Sequence, residues 1–430
     1  MGVFNGIITG QCTEITEYSD ENETAVCNLA SISLTKFVNK NKTYNFNKLY
    51  EVAYQATINL NNVIDVNYYP SKAARFSNLL HRPIGLGVQG LADVFFLTGL
   101  AYDSDGGRAL AGAITSLMTG TSYRRSAEIA GIVGSYDGYA RNAAAHTRVM
   151  KKHQAASLQA RAVSTLDRDV WSEANKQWDS CLAIGEKSGW RNAQASVLAP
   201  TGTIGLMMDC DTTGIEPDFS LVKFKKLVGG GSMQIVNQTI PMALRKLGYT
   251  EETVEAIVEY IAANGNVVDA PGLKPEHYEI FDCAMGVRAI SAMGHVKMMA
   301  ATQPFLSGAI SKTVNLPETA TIEEIEEVYY EGWKLGLKAL AVYRDNCKVG
   351  QPLSEGKGAN KGTDANASAS VDVDPKLTVE PAPPILTVPV TVVNNAPVAV
   401  AVEASNDAIP PAAAPIFMAF VPDVIAPPKV

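Results

Sequence analysis

Apolar positions along the first 350 residues follow two rhythms. Leu49, Val52, Ala53, Ala56, Leu60, Val63 and Ile64 recur at spacings of three and four, which predicts a helix with one buried stripe, ended by Pro70. "HRPIGLGVQGLADVFFLTGL", residues 81–100, reads as a glycine-rich turn entering an apolar helix, and a further helix is expected from about Arg108 to Ile132. "ASVLAP" from Ala195 is a short apolar run of strand type, delivered into the turn "TGTIG". Thr321 followed by Glu324 predicts a capping box ahead of the amphipathic run Ile325, Val328, Tyr329 and Leu337. "LKALAVYR", residues 337–344, is a plausible closing strand. Strands alternating with helices at this spacing predict an α/β domain with largely parallel strands.

The pattern changes after about Gly350. Twelve of the 22 prolines lie between Pro375 and Pro428, interleaved with Val and Ala, and proline is excluded from central strands and helix interiors alike. The expected division is therefore a folded part over 1–354 and an extended or disordered Pro/Ala/Val-rich tail over 355–430. The Val-rich piece "LTVPVTVV" could add a strand to a sheet, but a solvated tail is the expected state.

Composition narrows the function. A 430-residue chain with 47% apolar residues can bury a sizeable core. Its formal charge of -8, with no long Lys/Arg cluster, argues against direct nucleic-acid binding. No apolar run is long enough to span a membrane and no secretory signal opens the chain, so a cytoplasmic protein is expected. Cys12, Cys27, Cys181, Cys210, Cys283 and Cys347 show no CxxC spacing, and the five histidines show no metal-ligand spacing. Cysteine chemistry here is expected to be redox or catalytic, no metal site is expected, and the histidines are read as core or solvated.

Three motifs carry candidate chemistry, each beside a plainer reading. In an extended segment Cys12 and Glu14 share one face with Thr13 turned away, so a sulfur and a carboxylate can address one small molecule; a lone cysteine is more often a small buried hydrophobe. Gly85, Gly87 and Gly90 match G-x-G-x-x-G, with Asp105 twenty residues beyond the first glycine. A nicotinamide-binding dehydrogenase would need a strand before them, and Pro83 disfavours one, so close helix packing is the better account. "PTGTIG", from Pro200, presents backbone N–H groups and the Thr201 and Thr203 hydroxyls around one spot, fit for a phosphate but lacking the lysine of a P-loop; a plain Thr/Gly turn is the alternative.

Together these pieces resemble the large, catalytic subunit of ribonucleotide reductase. The carrying stretches are "CTEITEYSDENETAVCNLASISL", "NVIDVNYYP", "HRPIGLGVQGLADVFF", "VLAPTGTIG", "GIEPDFS", "MQIVN" and "SGAISKTVNLP", in family order from residue 12 to about 350. The resemblance implies part of a ten-stranded α/β barrel with the catalytic finger loop at the N-terminus. It further implies that Cys12 becomes the thiyl radical that abstracts the 3′-hydrogen of a ribonucleotide, Glu14 is the general base on the 3′-hydroxyl, and Cys27 is one of two reducing cysteines. Pro200, Thr201, Gly202, Thr203 and Ile204 would receive the substrate phosphates.

The same resemblance sets out departures. The family carries asparagine two positions before the radical cysteine, where this chain has Gly10. The upstream half of the barrel, with the second reducing cysteine and the nucleotide-sensing region, has no counterpart here, and no cysteine follows Cys347 to pass in electrons. Residues 12 to about 102 look like class I enzymes, whose radical comes from a di-iron small subunit through a tyrosine pair. The later motifs look like class II, which uses adenosylcobalamin. Ala341 and Val342 stand where the tyrosine pair would be, favouring adenosylcobalamin. The expected partners are a ribonucleotide, a second chain supplying the missing strands, a thioredoxin-like reductant and a like subunit in a homodimer. A non-catalytic nucleotide- or partner-binding remnant is the alternative.

Overall fold

Residues 7–10, 12–226, 232–347, 353–354 and 417–420 are described by the structure, a computed structural model. The chain opens with a hairpin, β1 (Ile7–Gly10) against β2 (Ile15–Tyr18), closed by the Gly10–Ile15 pair. β3 (Asn28–Ser33) is buried at all six positions, as a parallel strand covered on both faces should be. α1 (Phe46–Val66) follows, and all seven residues of the predicted stripe are buried in it. Each such Leu, Ile or Val contributes about 1.5–3 kcal/mol of burial.

α2 (Lys72–His81) leads through Pro83 into β4 (Ile84–Gln89), again buried at every position. This corrects the sequence reading, which placed a turn and close helix packing at Gly85 and Gly87. Proline is tolerated immediately before a first strand residue. Both glycines are needed because of their neighbours. A Cβ on Gly85 would overlap Leu29, and one on Gly87 would sit 2.5 Å from the carbonyl oxygen of Val197. Side-chain-free strand positions with no phosphate turn also exclude the dinucleotide fingerprint.

After α3 (Leu91–Thr98) come α4 (Asp105–Val133), α5 (Tyr139–Gln159) and α6 (Thr165–Ser188). The predicted helix over 108–132 is α4. It is lined by small residues that admit tryptophan from α6: Gly120 lies 3.1 Å, by its would-be Cβ, from Trp178, whose Nε1 donates to Ser116 Oγ at 3.0 Å. Beyond them "ASVLAP" bridges in parallel to β4 (Leu86 to Ser196) and to the next strand segment (Leu198 to Ile310).

The short α7 (Gly202–Met207) precedes an antiparallel pair, β5 (Val222–Lys226) and β6 (Ser232–Val236), and then α8 (Thr239–Leu247), α9 (Glu251–Asn264) and α10 (Ala292–Thr302). β7 (Thr313–Leu316) and β8 (Ala341–Arg344) pair in parallel around α11 (Ile322–Lys334), whose Thr321/Glu324 capping box forms as expected. β9 (Leu353–Ser354) joins β5. Of the proline-rich segment only β10 (Phe417–Phe420) is described, parallel to β3 with Phe417 opposite Leu29; "LTVPVTVV" lies outside the described residues.

The parallel row therefore runs β10, β3, β4, residues 195–199, the 310–316 segment and β8. Among the described residues it does not close on itself. No described helix is long and apolar enough to cross a membrane.

Candidate active site

The hairpin tip carries Cys12, Thr13 and Glu14. The sequence reading expected an extended segment here; instead Thr13 adopts φ 75°, in the left-handed region, so the chain turns between the two candidate residues. Two bonds fix the tip to one stretch: Thr13 Oγ1 donates to the Ile310 carbonyl at 3.3 Å, and the Glu14 carbonyl accepts from Ala309 N at 2.9 Å. Gly308 makes this approach possible, since a Cβ there would lie 3.1 Å from the Glu14 oxygen and would overlap Val197.

Glu14 is 1% exposed, and neither carboxyl oxygen has a partner with hydrogen-bonding geometry. Burial holds its pKa above the usual range, against the pull of the Cys12 and Glu14 backbone. Cys12 is exposed, because the described strands flank the tip without enclosing it. Its thiol is raised by partial burial and then by the Glu14 charge.

Cys27 lies just before β3, packed with Ile15 against Leu29, Val197 and Ala199. Its sulfur would lie 3.1 Å from a Cβ on Gly85 and accepts from Gln194 Nε2 at 3.6 Å. Burial, followed by the Glu17 carboxyl, holds this thiol well above its usual pKa, opposed by the Gln194 hydrogen bond. All six cysteines are free. Glu17 and Gln194 carried no signal in the sequence, since their contact joins positions 177 residues apart.

The proposed phosphate turn sits on the other flank of the same stretch. Leu198 N donates to the Ala309 carbonyl at 3.1 Å and Ser311 N to the Leu198 carbonyl at 2.8 Å, so the strand feeding Thr201 and the hairpin tip are both bonded to residues 309–311. Thr201 is buried, with φ 53°, and its Oγ1 accepts from Gly214 N at 2.7 Å. That hydroxyl is an anchor for the turn rather than an open ligand, although its hydrogen can still be donated. Gly202 and Thr203 are exposed at the start of α7, Pro200 and Ile204 are partly exposed, and nothing lies within 4 Å of a Cβ built on Gly202.

Behind the turn most polar groups are paired, although Asp93 Oδ1, both atoms of the Gln89 amide and His295 Nε2 are buried without a partner. Asp93 Oδ2 accepts from Asp211 N and Thr212 N at 3.0 and 3.2 Å, and burial pushes its pKa up to about 7. Lys223 reaches Asp218 at 2.6 Å. Lys312, fully buried, donates to Glu216 Oε2 at 2.9 Å and to the Thr313 carbonyl at 2.8 Å, with His295 Nδ1 at 2.6 Å.

Residues 7–343 match the family described as "Ribonucleotide reductase, barrel domain". The chain belongs to that family. It is 59% identical over 367 residues to a vitamin B12-dependent ribonucleotide reductase of Streptantibioticus cattleyicolor, covering 83% of this chain and 61% of the relative. Another protein of that name, from Streptomyces coelicolor, is 60% identical over 343 residues, 79% of this chain and 35% of its own length. A ribonucleoside-diphosphate reductase large subunit of Plasmodium falciparum is 32% identical over 337 residues, covering 77% and 39%. The chain thus spans roughly a third to three-fifths of these ribonucleotide reductases. Coverage of 83% is also too long to omit residues 12–102, so the likeness to B12-dependent relatives extends into the region that reads as class I.

Proposed function

We propose that this chain is the finger-loop part of a ribonucleotide reductase barrel, converting ribonucleoside di- or triphosphates to deoxyribonucleotides by thiyl-radical chemistry in the cytoplasm. The observation that carries this is Glu14: a carboxyl group almost wholly buried, unpartnered, raised in pKa and two residues from Cys12. Such a group is costly unless a ligand completes it, and a raised pKa suits a base working near neutrality. In this reading Glu14 accepts the 3′-hydroxyl proton while Cys12 takes the 3′-hydrogen. Gly202 and Thr203, on the turn anchored by Thr201, hold the phosphates, and Cys27 supplies one of the two thiols that become a disulfide as the 2′-hydroxyl leaves as water. A thioredoxin-like dithiol is the proposed source of reducing equivalents, and the parallel row is part of the ten-stranded barrel.

Adenosylcobalamin is the proposed cofactor, supported by the relatives' names and by β8, which holds Tyr343 but no tyrosine pair, Ala341 and Val342 standing where the pair would be. When bound it supplies a hydrogen-abstracting radical. Cys12, exposed at the hairpin tip, would be the residue that takes up that radical.

The test is deoxyribonucleotide formation with adenosylcobalamin and a dithiol, the chain being supplemented with a polypeptide covering the parts of the B12-dependent relatives outside the match. Turnover abolished by Cys12→Ser is expected. Turnover unchanged by that substitution removes the assigned radical cysteine, and nucleotide binding without turnover favours a remnant.

A further inference from the structure

A cavity of about 550 Å³ lies between the hairpin and α5, and Glu17, Gln194, His146, His153 and Lys338 are among its walls. Glu17 and Gln194 form the side next to Cys27. One amide serves both neighbours: Gln194 Nε2 donates to Glu17 Oε1 at 2.6 Å and to Cys27 Sγ at 3.6 Å, using its two hydrogens. The Glu17 carboxyl shares this amide with the sulfur and so lies beside it. The Gln194 oxygen faces Gly308, where a Cβ would come within 3.2 Å of it.

Of the other charged groups lining the cavity, Lys152 is exposed at its wall and the rest are engaged elsewhere or uncharged. Lys338 directs its ammonium to the carbonyls of Leu306, Ser307 and Gly308 at 2.8, 2.8 and 3.0 Å. Burial holds His146 and His153 neutral, at about 3 and about 4, and His81 pairs with Glu23 at 2.7 Å. From the hairpin tip, Glu14 adds a second carboxyl facing Cys27. The sulfur thus accepts from one amide, donates to the Asn28 carbonyl at 3.9 Å, and lies in the field of two acidic groups.

We propose that Glu17 and Gln194 are the positioning pair of Cys27, Gln194 fixing the sulfur and Glu17 opposing its ionisation in alkaline solution. The purpose rests on the reading of Cys27 as a reducing cysteine. A thiol carries the hydrogen the sugar must receive, whereas a resting thiolate is open to oxidants and electrophiles. Burial moves Glu17 to about 8, so above that pH its negative charge adds to the cost of a neighbouring thiolate.

Peptide-resolved alkylation of Cys27 by iodoacetamide, followed from pH about 7 to about 10, tests this without turnover. Glu17→Gln is expected to move the Cys27 profile to lower pH and raise its rate near pH 9 about five- to tenfold, since one pKa unit is a factor of ten in thiolate. Cys12 and Cys347, both exposed, serve as internal references and should not change. Gln194→Leu, which keeps the carboxyl and removes the amide donor, should act in the opposite direction and slow Cys27 about threefold. The proposal is overturned by identical Cys27 profiles in wild type and Glu17→Gln, by a change shared with the reference cysteines, or by faster alkylation in Gln194→Leu. Because turnover in Cys12→Ser judges the proposed function and alkylation judges the positioning pair, either can fail alone.

Discussion

The hairpin tip and the turn at 201–218 are bonded to the same short stretch around Ala309, yet they treat their polar groups in opposite ways. Behind the turn, Asp93, Asp211, Asp218, Lys223, Glu216 and Lys312 each have a partner within hydrogen-bonding distance. At the tip, Glu14 is buried with both oxygens unpartnered and Cys12 is exposed. Most groups that place the turn are satisfied by the protein, the Gln89 amide and one Asp93 oxygen excepted, whereas the whole Glu14 carboxyl is unpartnered, as a group meant for a ligand would be. That contrast separates scaffold from chemistry more sharply than burial does, because Glu14 and Lys312 are each 1% exposed.

Substitutions can break the contrast at graded cost. Lys312→Met should be the most damaging, leaving Glu216 and His295 without their shared ammonium. A loss of about 3–5 kcal/mol in urea unfolding is expected. Gly87→Ala drives a methyl onto the Val197 carbonyl and should cost about 1–3 kcal/mol by the same measurement. Glu14→Gln should go the other way, unfolding within about 1 kcal/mol of wild type on the stabilising side at neutral pH, because it removes an unpaired buried carboxylate while abolishing the proposed base. A large destabilisation by Glu14→Gln would show that the group belongs to the scaffold after all.

The pH dependence sharpens the same point. Asp93 is raised to about 7 in the folded chain, above its ordinary value, so the stability it contributes is present in acid and lost as pH rises through about 7. Asp93→Asn should flatten that part of the urea-midpoint profile between about pH 4 and about pH 7. The smallest effect is expected at Gly202→Ala, where open space surrounds the added methyl and unfolding should stay within about 0.5 kcal/mol.

Local pattern was enough for α1, α4 and α11, whose buried stripe, length and capping box are written within a few turns of chain. It failed at β4 because Gly85 and Gly87 answer to Leu29 and Val197, which arrive from other strands; local sequence cannot distinguish a glycine that turns from one that makes room. α5 and α6 went unread because polar and apolar positions are mixed along them. Their buried faces include Asn142, His146, His153 and Gln177, which no stripe of apolar residues announces. Cys12, Glu14 and the turn from Pro200 stood out locally beside plainer readings, and the roles proposed for them and for Cys27 came only through ordered family motifs. The geometry that joins the tip to the turn, through residues 309–311, and the pair that flanks Cys27 depend on long-range contacts.

The central claim is that the sulfur at the hairpin tip and the turn at 201–204 serve one ligand. Alkylation of Cys12, measured with and without a ribonucleoside diphosphate whose binding is verified by calorimetry, tests it most directly. At a nucleotide concentration about ten times its dissociation constant, Cys12 should react about tenfold more slowly while Cys347 is unchanged. A Cys12 rate unaffected by bound nucleotide would contradict the account.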